Sequence, residues 1–173
     1  MKFSDILALP YDPGSGSPSF EAVTAALPHA PDEVVEQFYV DHGRNPDFQA
    51  QYADVELGAI IWTKARIPAS ELIAASKYER FEPWFNSVAK RFAAFPEKGW
   101  AAIDRRRPVV EHWERNGSWA VPPVFVSGEL LGRATKLHLV EGHSRLATLA
   151  GGVGCGLVRP ESIHEIWLGA AKG

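Results

Sequence analysis

The feature that most constrains the fold is a strand-turn-helix pattern in the last quarter of the chain, at residues 137–150. The run Leu137-His138-Leu139-Val140 is typical of a short apolar strand. Glu141-Gly142-His143-Ser144-Arg145 forms the junction, and an apolar helical pattern continues to Ala150. We therefore predict a strand over residues 137–140 and a helix from Ser144 to about Ala150, which the glycines of residues 151–156 terminate.

The junction places an acid, a glycine, an imidazole, a hydroxyl and a guanidinium next to one another. A helix start presents unpaired backbone N–H groups and the positive end of the helix dipole, so it favours an anion, usually a phosphate. Gly142 allows a sharp turn and a close approach of the backbone to a ligand. Ser144 and Arg145 add a hydroxyl donor and a fork that suits phosphate oxygens. The junction is therefore the predicted binding site.

Composition sets the class of protein around this site. The chain has 173 residues, of which 46% are hydrophobic and 23% charged, with a net charge of −3. That length can bury one proper core, and the absence of a basic excess gives no strong nucleic-acid signal. Cys155 is the single cysteine, which excludes an internal disulfide and a site built from several cysteines. We find no signal-peptide pattern and no apolar run near the ~20 residues of a membrane span, so we expect a cytoplasmic protein with no membrane association.

The N-terminal third is predicted to be a helical extension over residues 1–55. A helix opens at Asp32 and ends near Gly43, because its apolar residues recur at helical spacing on one face. A second helix covers Asp47 to Tyr52. The predicted inward face consists of Val34, Val35, Phe38 and Tyr39.

Residues 56–173 are predicted to form the main domain, within one compact unit overall. Side chains that alternate between two faces over residues 57–67 indicate a strand, and an aromatic-rich helical pattern follows to about residue 95. Pro108 then opens a helix that Gly117 terminates. A proline-led strand lies within residues 119–127, and the last strand covers residues 163–168, after which the chain should fray. The fold class is α+β, a small mixed sheet flanked by helices.

This order of elements, together with Glu141-Gly142-His143-Ser144-Arg145-Leu146, resembles the ParB/sulfiredoxin-like superfamily over about residues 57–169. In that superfamily an Ile-Pro segment opens the domain, as Ile67-Pro68 does here, and a strand enters a Gly-x-x-Arg turn before a helix. The form Asp-Gly-His-His-Arg-Leu of some members is the most similar to this chain. Two departures are evident: His143 stands where sulfiredoxin has its cysteine, and the helix-turn-helix that follows in ParB proteins is absent.

The resemblance implies a nucleotide-binding turn and phosphoryl chemistry. Gly142, His143, Ser144 and Arg145 would hold phosphate, with ATP or CTP and Mg²⁺ as the expected cofactors. Glu141 or His143 would be the catalytic general base for phosphoryl transfer or for nucleotide or phosphodiester hydrolysis. The departures argue against sulfinic-acid reduction and centromere-type DNA binding.

Two further side-chain patterns leave alternatives open. Arg105-Arg106-Arg107 is either an anion clamp, with Arg107 as an accessory residue, or a solvated cluster before a helix. His164 on the last strand is a second accessory candidate. No paired histidines or Gly-x-Ser-x-Gly motif indicates a metal site or a serine hydrolase.

The competing interpretation is a catalytically inert binding module. In that case Glu141 simply pairs with Arg145, and residues 1–55 contact a protein partner, for example in a toxin–antitoxin or phage-defence system. A turn plugged by the protein's own side chains would favour this alternative.

Overall fold

The computed structural model describes residues 1–172 and has the predicted α+β class. Its α-helices are α1 (Phe20–Ala26), α2 (Asp32–Val34), α3 (Pro46–Tyr52), α4 (Ala69–Ile73), α5 (Glu82–Lys90), α6 (Phe95–Lys98), α7 (Arg107–Asn116) and α8 (His143–Gly154). Short 3₁₀ helices cover Phe3–Ala8, Leu57–Ala59, Glu79–Phe81, Arg91–Ala94, Gly99–Ala102 and Gly128–Leu131. None of the helices within residues 1–172 is long and apolar enough to cross a membrane.

Four strands form one mixed sheet in the order β1-β4-β2-β3. They are β1 (Ile60–Pro68), β2 (Val124–Ser127), β3 (Leu137–Glu141) and β4 (Ile163–Ala171). β2 runs parallel to β4 and pairs Val124 with Trp167, Phe125 with Leu168, and Val126 with Gly169. The four residues of β2 read Val-Phe-Val-Ser, and its three apolar residues are buried, as expected for an inner strand of a covered sheet.

The tertiary contacts divide the chain into two compact units. The first consists of residues 1–63, 124–136 and 167 onward, and the second of residues 64–123 and 137–166. The predicted domain boundary at residue 55 stays a prediction.

In the first unit an aromatic cluster forms the core around the 3₁₀ turn at the N-terminus. The ring of Phe38 lies 5.1 Å from Phe3, 4.8 Å from Tyr39 and 5.7 Å from Tyr52. The inward face predicted for the helix that opens at Asp32 is confirmed, because all four of its apolar residues are buried. The helix itself differs from the prediction: α2 continues as a π-helix over Val35–Val40.

In the second unit α8 packs against α5, and this packing corrects the predicted end of α8. Gly151 and Gly152 lie inside the helix and are buried, and the helix continues to Gly154. A Cβ at Gly151 would lie 2.2 Å from Cδ2 of Phe92 and 2.8 Å from the carbonyl oxygen of Ala89. These glycines therefore allow close packing of α8 instead of ending it.

The last strand is also longer than predicted. β4 continues to Ala171, where fraying was expected, and the amide of Lys172 donates to the carbonyl of Ala59 at 3.0 Å. Gly169 permits this pairing, since a Cβ there would lie 2.8 Å from the Trp62 ring.

Candidate functional site

The junction between β3 and α8 is a sharp turn centred on Gly142. This residue precedes the first residue of α8 and has φ 102°, a left-handed conformation that favours glycine. A Cβ at this position would lie 2.3 Å from Cβ of Pro123. Only glycine therefore fits both the backbone conformation and the space. The helix begins at His143, one residue before the predicted start, and Ser144 is not its N-cap.

The guanidinium of Arg145 contacts two oxygen atoms of the protein itself. Its Nη2 contacts Oε2 of Glu141 directly, across one turn of chain, and its Nη1 donates to the carbonyl oxygen of Val121 at 2.9 Å. Burial lowers the pKa of the Arg145 guanidinium, and the Glu141 carboxylate opposes that shift. The charged pair therefore lies in a partly desolvated environment, where electrostatic interactions are stronger than in bulk water.

A cavity of about 310 Å³ opens at this turn, entirely within the second unit. Its lining consists of Arg106, Val109, Trp113, Trp119, Ala120, Val121, Glu141, Gly142, Ser144 and Arg145. The volume lies at the lower end of the range of about 300–1,000 Å³ for small-molecule sites. The lining combines apolar and aromatic side chains with a few charged groups, which is the usual composition of a ligand pocket.

Arg106 contributes the second cation of the cavity. It lies at the N-cap position of α7, where Asp104 holds it through Nε–Oδ1 and Nη2–Oδ2 contacts of 3.0 and 2.6 Å. The hydrogen bonds from Arg106 lower the pKa of the Asp104 carboxyl below its usual value. Asp104 thus orients the guanidinium beside the cavity.

Two tryptophans form the aromatic part of the lining. Trp113 lies on α7 and its ring contacts that of Trp119 in an edge-to-face arrangement, with centroids 6.1 Å apart. Nε1 of Trp119 donates to the carbonyl oxygen of Glu165 at 2.7 Å, which fixes the ring on the last strand. Both rings are largely buried, so the aromatic surface is rigid.

The structure brings together four of the predicted binding or catalytic residues and separates one. Glu141, Gly142, Ser144 and Arg145 line the cavity, and Ser144 is exposed there. His143 is not part of the lining; its ring packs against Phe81 with centroids 4.4 Å apart. Its predicted catalytic role stays a prediction.

The two accessory candidates lie elsewhere. Arg107 is exposed and its Nε donates to Glu111 at 2.6 Å, on the surface of α7. His164 is buried and does not line the cavity: its Nδ1 lies 2.8 Å from Oγ of Ser118 and its Nε2 lies 2.9 Å from Oγ of Ser162. Because Ser162 donates its own proton to the carbonyl of Arg159, Nε2 of His164 carries the proton in the neutral ring. Burial lowers the pKa of His164.

Sequence reasoning missed the residues that complete the cavity. The arginine run pointed to the correct segment, but Arg106 and not Arg107 lines the cavity. Trp113 lies inside the helix predicted from Pro108 and Trp119 at the start of the segment predicted to hold the proline-led strand, and neither was a predicted site residue. Trp119 directly follows Gly117-Ser118, the pair that ends the helix. That position was the available signal that its ring is held at the helix terminus.

The cavity has a limited capacity to hold a metal ion by itself. Among residues 1–172 no group of three or more His, Cys, Asp or Glu side chains is arranged to hold one. Glu141 is the single carboxylate of the lining. A metal would therefore need oxygen ligands from another source.

No family model matches the chain, and neither the curated proteins nor the solved structures contain a significant match.

Proposed function

We propose that the cavity at the start of α8 binds the phosphate of a nucleotide, with ATP or CTP and Mg²⁺ as the expected ligands. The observation that carries the proposal is the composition of the lining: the turn at Gly142, the Ser144 hydroxyl and Arg106 share one cavity with Trp113 and Trp119. Phosphate favours a helix N-terminus with nearby donors. A flat base favours aromatic and aliphatic surface.

The resemblance to the ParB/sulfiredoxin-like superfamily supports the same assignment. It rests on Glu141 to Leu146 and on the order of elements over residues 57–169. In that superfamily the corresponding turn binds nucleotide phosphates. The expectation that the nucleotide is ATP or CTP rests on this resemblance alone.

The reaction proposed for the site is phosphoryl transfer or hydrolysis of a nucleotide or phosphodiester. Glu141 is the general-base candidate within the lining, whereas His143 packs against Phe81. A bound Mg²⁺ would neutralise charge on the phosphates. Mg²⁺ is commonly held by one or two carboxylates together with substrate phosphates. Glu141, the single carboxylate of the lining, would serve either as that ligand or as the general base.

A thermal-shift screen tests the proposal. ATP, CTP, GTP and ADP, each with Mg²⁺, are added to the wild type and to R145A. A ligand at about 100 times its Kd adds about 2.7 kcal/mol of stability, which for a chain of this length raises the Tm by about 5–10 °C. R145A should lose this rise, since the guanidinium is part of the lining.

The matched control is R115A, which removes an arginine from an exposed contact with Glu111 outside the cavity. It should keep the full ligand-induced rise. The change in Tm on adding ligand is compared, not the Tm itself, because R145A also removes the hydrogen bond to Val121. If no nucleotide raises the Tm of the wild type, the proposal is wrong.

The second candidate is a catalytically inert binding module. The observation that favours it is the direct contact between Glu141 and Arg145, which engages the arginine with the protein's own carboxylate. Residues 1–55 would then contact a protein partner. In the same screen this candidate predicts no nucleotide-induced rise in Tm for the wild type.

A further inference from the structure

We infer that Glu141 determines the specificity of the cavity: it admits a phosphate group that brings a divalent cation and disfavours the bare anion. The inference rests on the proposed function and deepens it. Two observations carry it, namely the direct contact of Glu141 with Arg145 and the charge balance of the groups around the cavity.

The first observation is that the Arg145 guanidinium is engaged at both terminal nitrogens. Nη2 contacts the Glu141 carboxylate and Nη1 donates to Val121. Each terminal nitrogen carries two N–H groups, so a phosphate that takes the N–H group facing Glu141 replaces the carboxylate there. Glu141 is thus an internal competitor for the same cation, and it stays in the cavity lining after it is displaced.

The second observation is that the charges at the cavity cancel. Arg106 and Arg145 are the two cations of the lining, Glu141 is its anion, and Asp104 neutralises Arg106 through a two-nitrogen contact. Two positive and two negative side chains leave no net side-chain charge. A bare phosphate dianion would therefore be compensated only by the partial positive charge at the N-terminus of α8.

The partial burial of Glu141 and Arg145 makes the charge balance important for binding. The side chains of Glu141 and Arg145 are each 23% exposed, so water screens the displaced carboxylate only in part. A negative carboxylate beside a negative phosphate is unfavourable in such a place. A divalent cation would remove this repulsion, with Glu141 as one of its ligands and phosphate oxygens and water as the others.

The E141Q variant separates this role from simple stabilisation of the turn. Glutamine keeps the length of the side chain and an oxygen acceptor for Arg145, but it removes the negative charge. The variant should bind the bare anion more tightly than the wild type does. It should also lose most of the dependence of binding on the divalent cation.

The experiment is calorimetric titration of ADP into the wild type, E141Q and E111Q, once with Mg²⁺ and once with EDTA. We expect the wild type to bind ADP about tenfold more tightly with Mg²⁺, within the usual range of coupling between two ligands. E141Q should show a ratio of about two or less, mainly because binding in EDTA improves. E111Q also removes a carboxylate that contacts an arginine four residues away, but outside the cavity, and should keep the wild-type ratio.

The outcomes distinguish the inference from the proposed function. If ADP binds neither the wild type nor E141Q under either condition, the inference is overturned, and the proposed function is wrong as well if ATP and CTP also leave the Tm of the wild type unchanged. If ADP binds the wild type but E141Q keeps the wild-type ratio, the proposed function stands and the inference is overturned. An equal loss of binding by E141Q with Mg²⁺ and with EDTA also overturns it, because Glu141 would then only support the turn.

Discussion

The guanidinium of Arg145 and the backbone at Gly142 explain the local order of the site. Gly142 has a left-handed conformation and lies against Pro123, so the chain turns sharply where β3 ends. Arg145 then contacts Glu141 on the other side of the same turn. The residues on both sides of the turn are thereby held beside the cavity without a side-chain N-cap.

His164 gives the chain a pH dependence that can be measured. Burial lowers its pKa below the unfolded value of 6.5, so the unfolded chain binds a proton more readily than the folded one. The neutral His164 ring makes its full contribution to the free energy of unfolding above pH 6.5. This contribution is lost as the pH falls from there through the folded-state pKa. The free energy of unfolding from urea titrations should therefore decrease over this interval, and H164Q should flatten the decrease. Parallel curves for the two proteins would contradict this assignment.

At the scale of elements, the glycines of α8 set how closely it packs on α5. G151A should destabilise the protein by about 1–3 kcal/mol, the usual cost of overpacking a filled core. The clash with Phe92 and with the Ala89 carbonyl outweighs the better helix propensity of alanine. Urea unfolding measures the difference.

G154A is the matched control in the same helix. A Cβ there would meet nothing within 4 Å, so the change should be neutral or stabilising by up to about 1 kcal/mol. Equal effects of the two substitutions would show that packing against Phe92 is not the reason for Gly151.

At the scale of the whole molecule, residues 1–55 contribute to a core that extends beyond them. The backbone N–H of Leu57 donates to the carbonyl oxygen of Met1 at 2.9 Å. The Trp62 ring contacts that of Tyr39 edge to face, with centroids 6.5 Å apart. Nε1 of Trp167 donates to Oε2 of Glu33 at 2.6 Å. The N-terminal segment therefore packs with the start of β1 and the end of β4 inside the first unit.

Deletion of residues 1–55 should accordingly prevent cooperative folding of the rest. The deletion exposes Ile60 and Trp62, which are buried in the full chain, and removes the partners of Trp167 and Leu57. Near-UV circular dichroism should lose its fine structure, and urea unfolding should lose its sigmoidal transition. A sharp transition for the shortened chain would instead establish a domain boundary at residue 55.

Local patterns in the sequence were sufficient for the strand-turn-helix up to about residue 150. Hydrophobic periodicity and a glycine between two apolar runs act over a few residues, so they predict β3, the turn and the first part of α8, but not its end at Gly154. The α+β class and the burial of Val34 and Phe38 follow from the same kind of pattern.

Only the tertiary structure decided which side chains share the cavity. Arg107 was the predicted accessory arginine, whereas Arg106 lines the cavity. Neighbouring helical positions differ in direction by about 100°, so the arginine run by itself could not select the right one. The sequence also could not show that Trp113 and Trp119 complete the lining, or that Gly151 packs against Phe92, since those contacts join segments far apart in the chain. Local propensity specifies the backbone of the turn, whereas long-range packing selects the side chains that face the cavity.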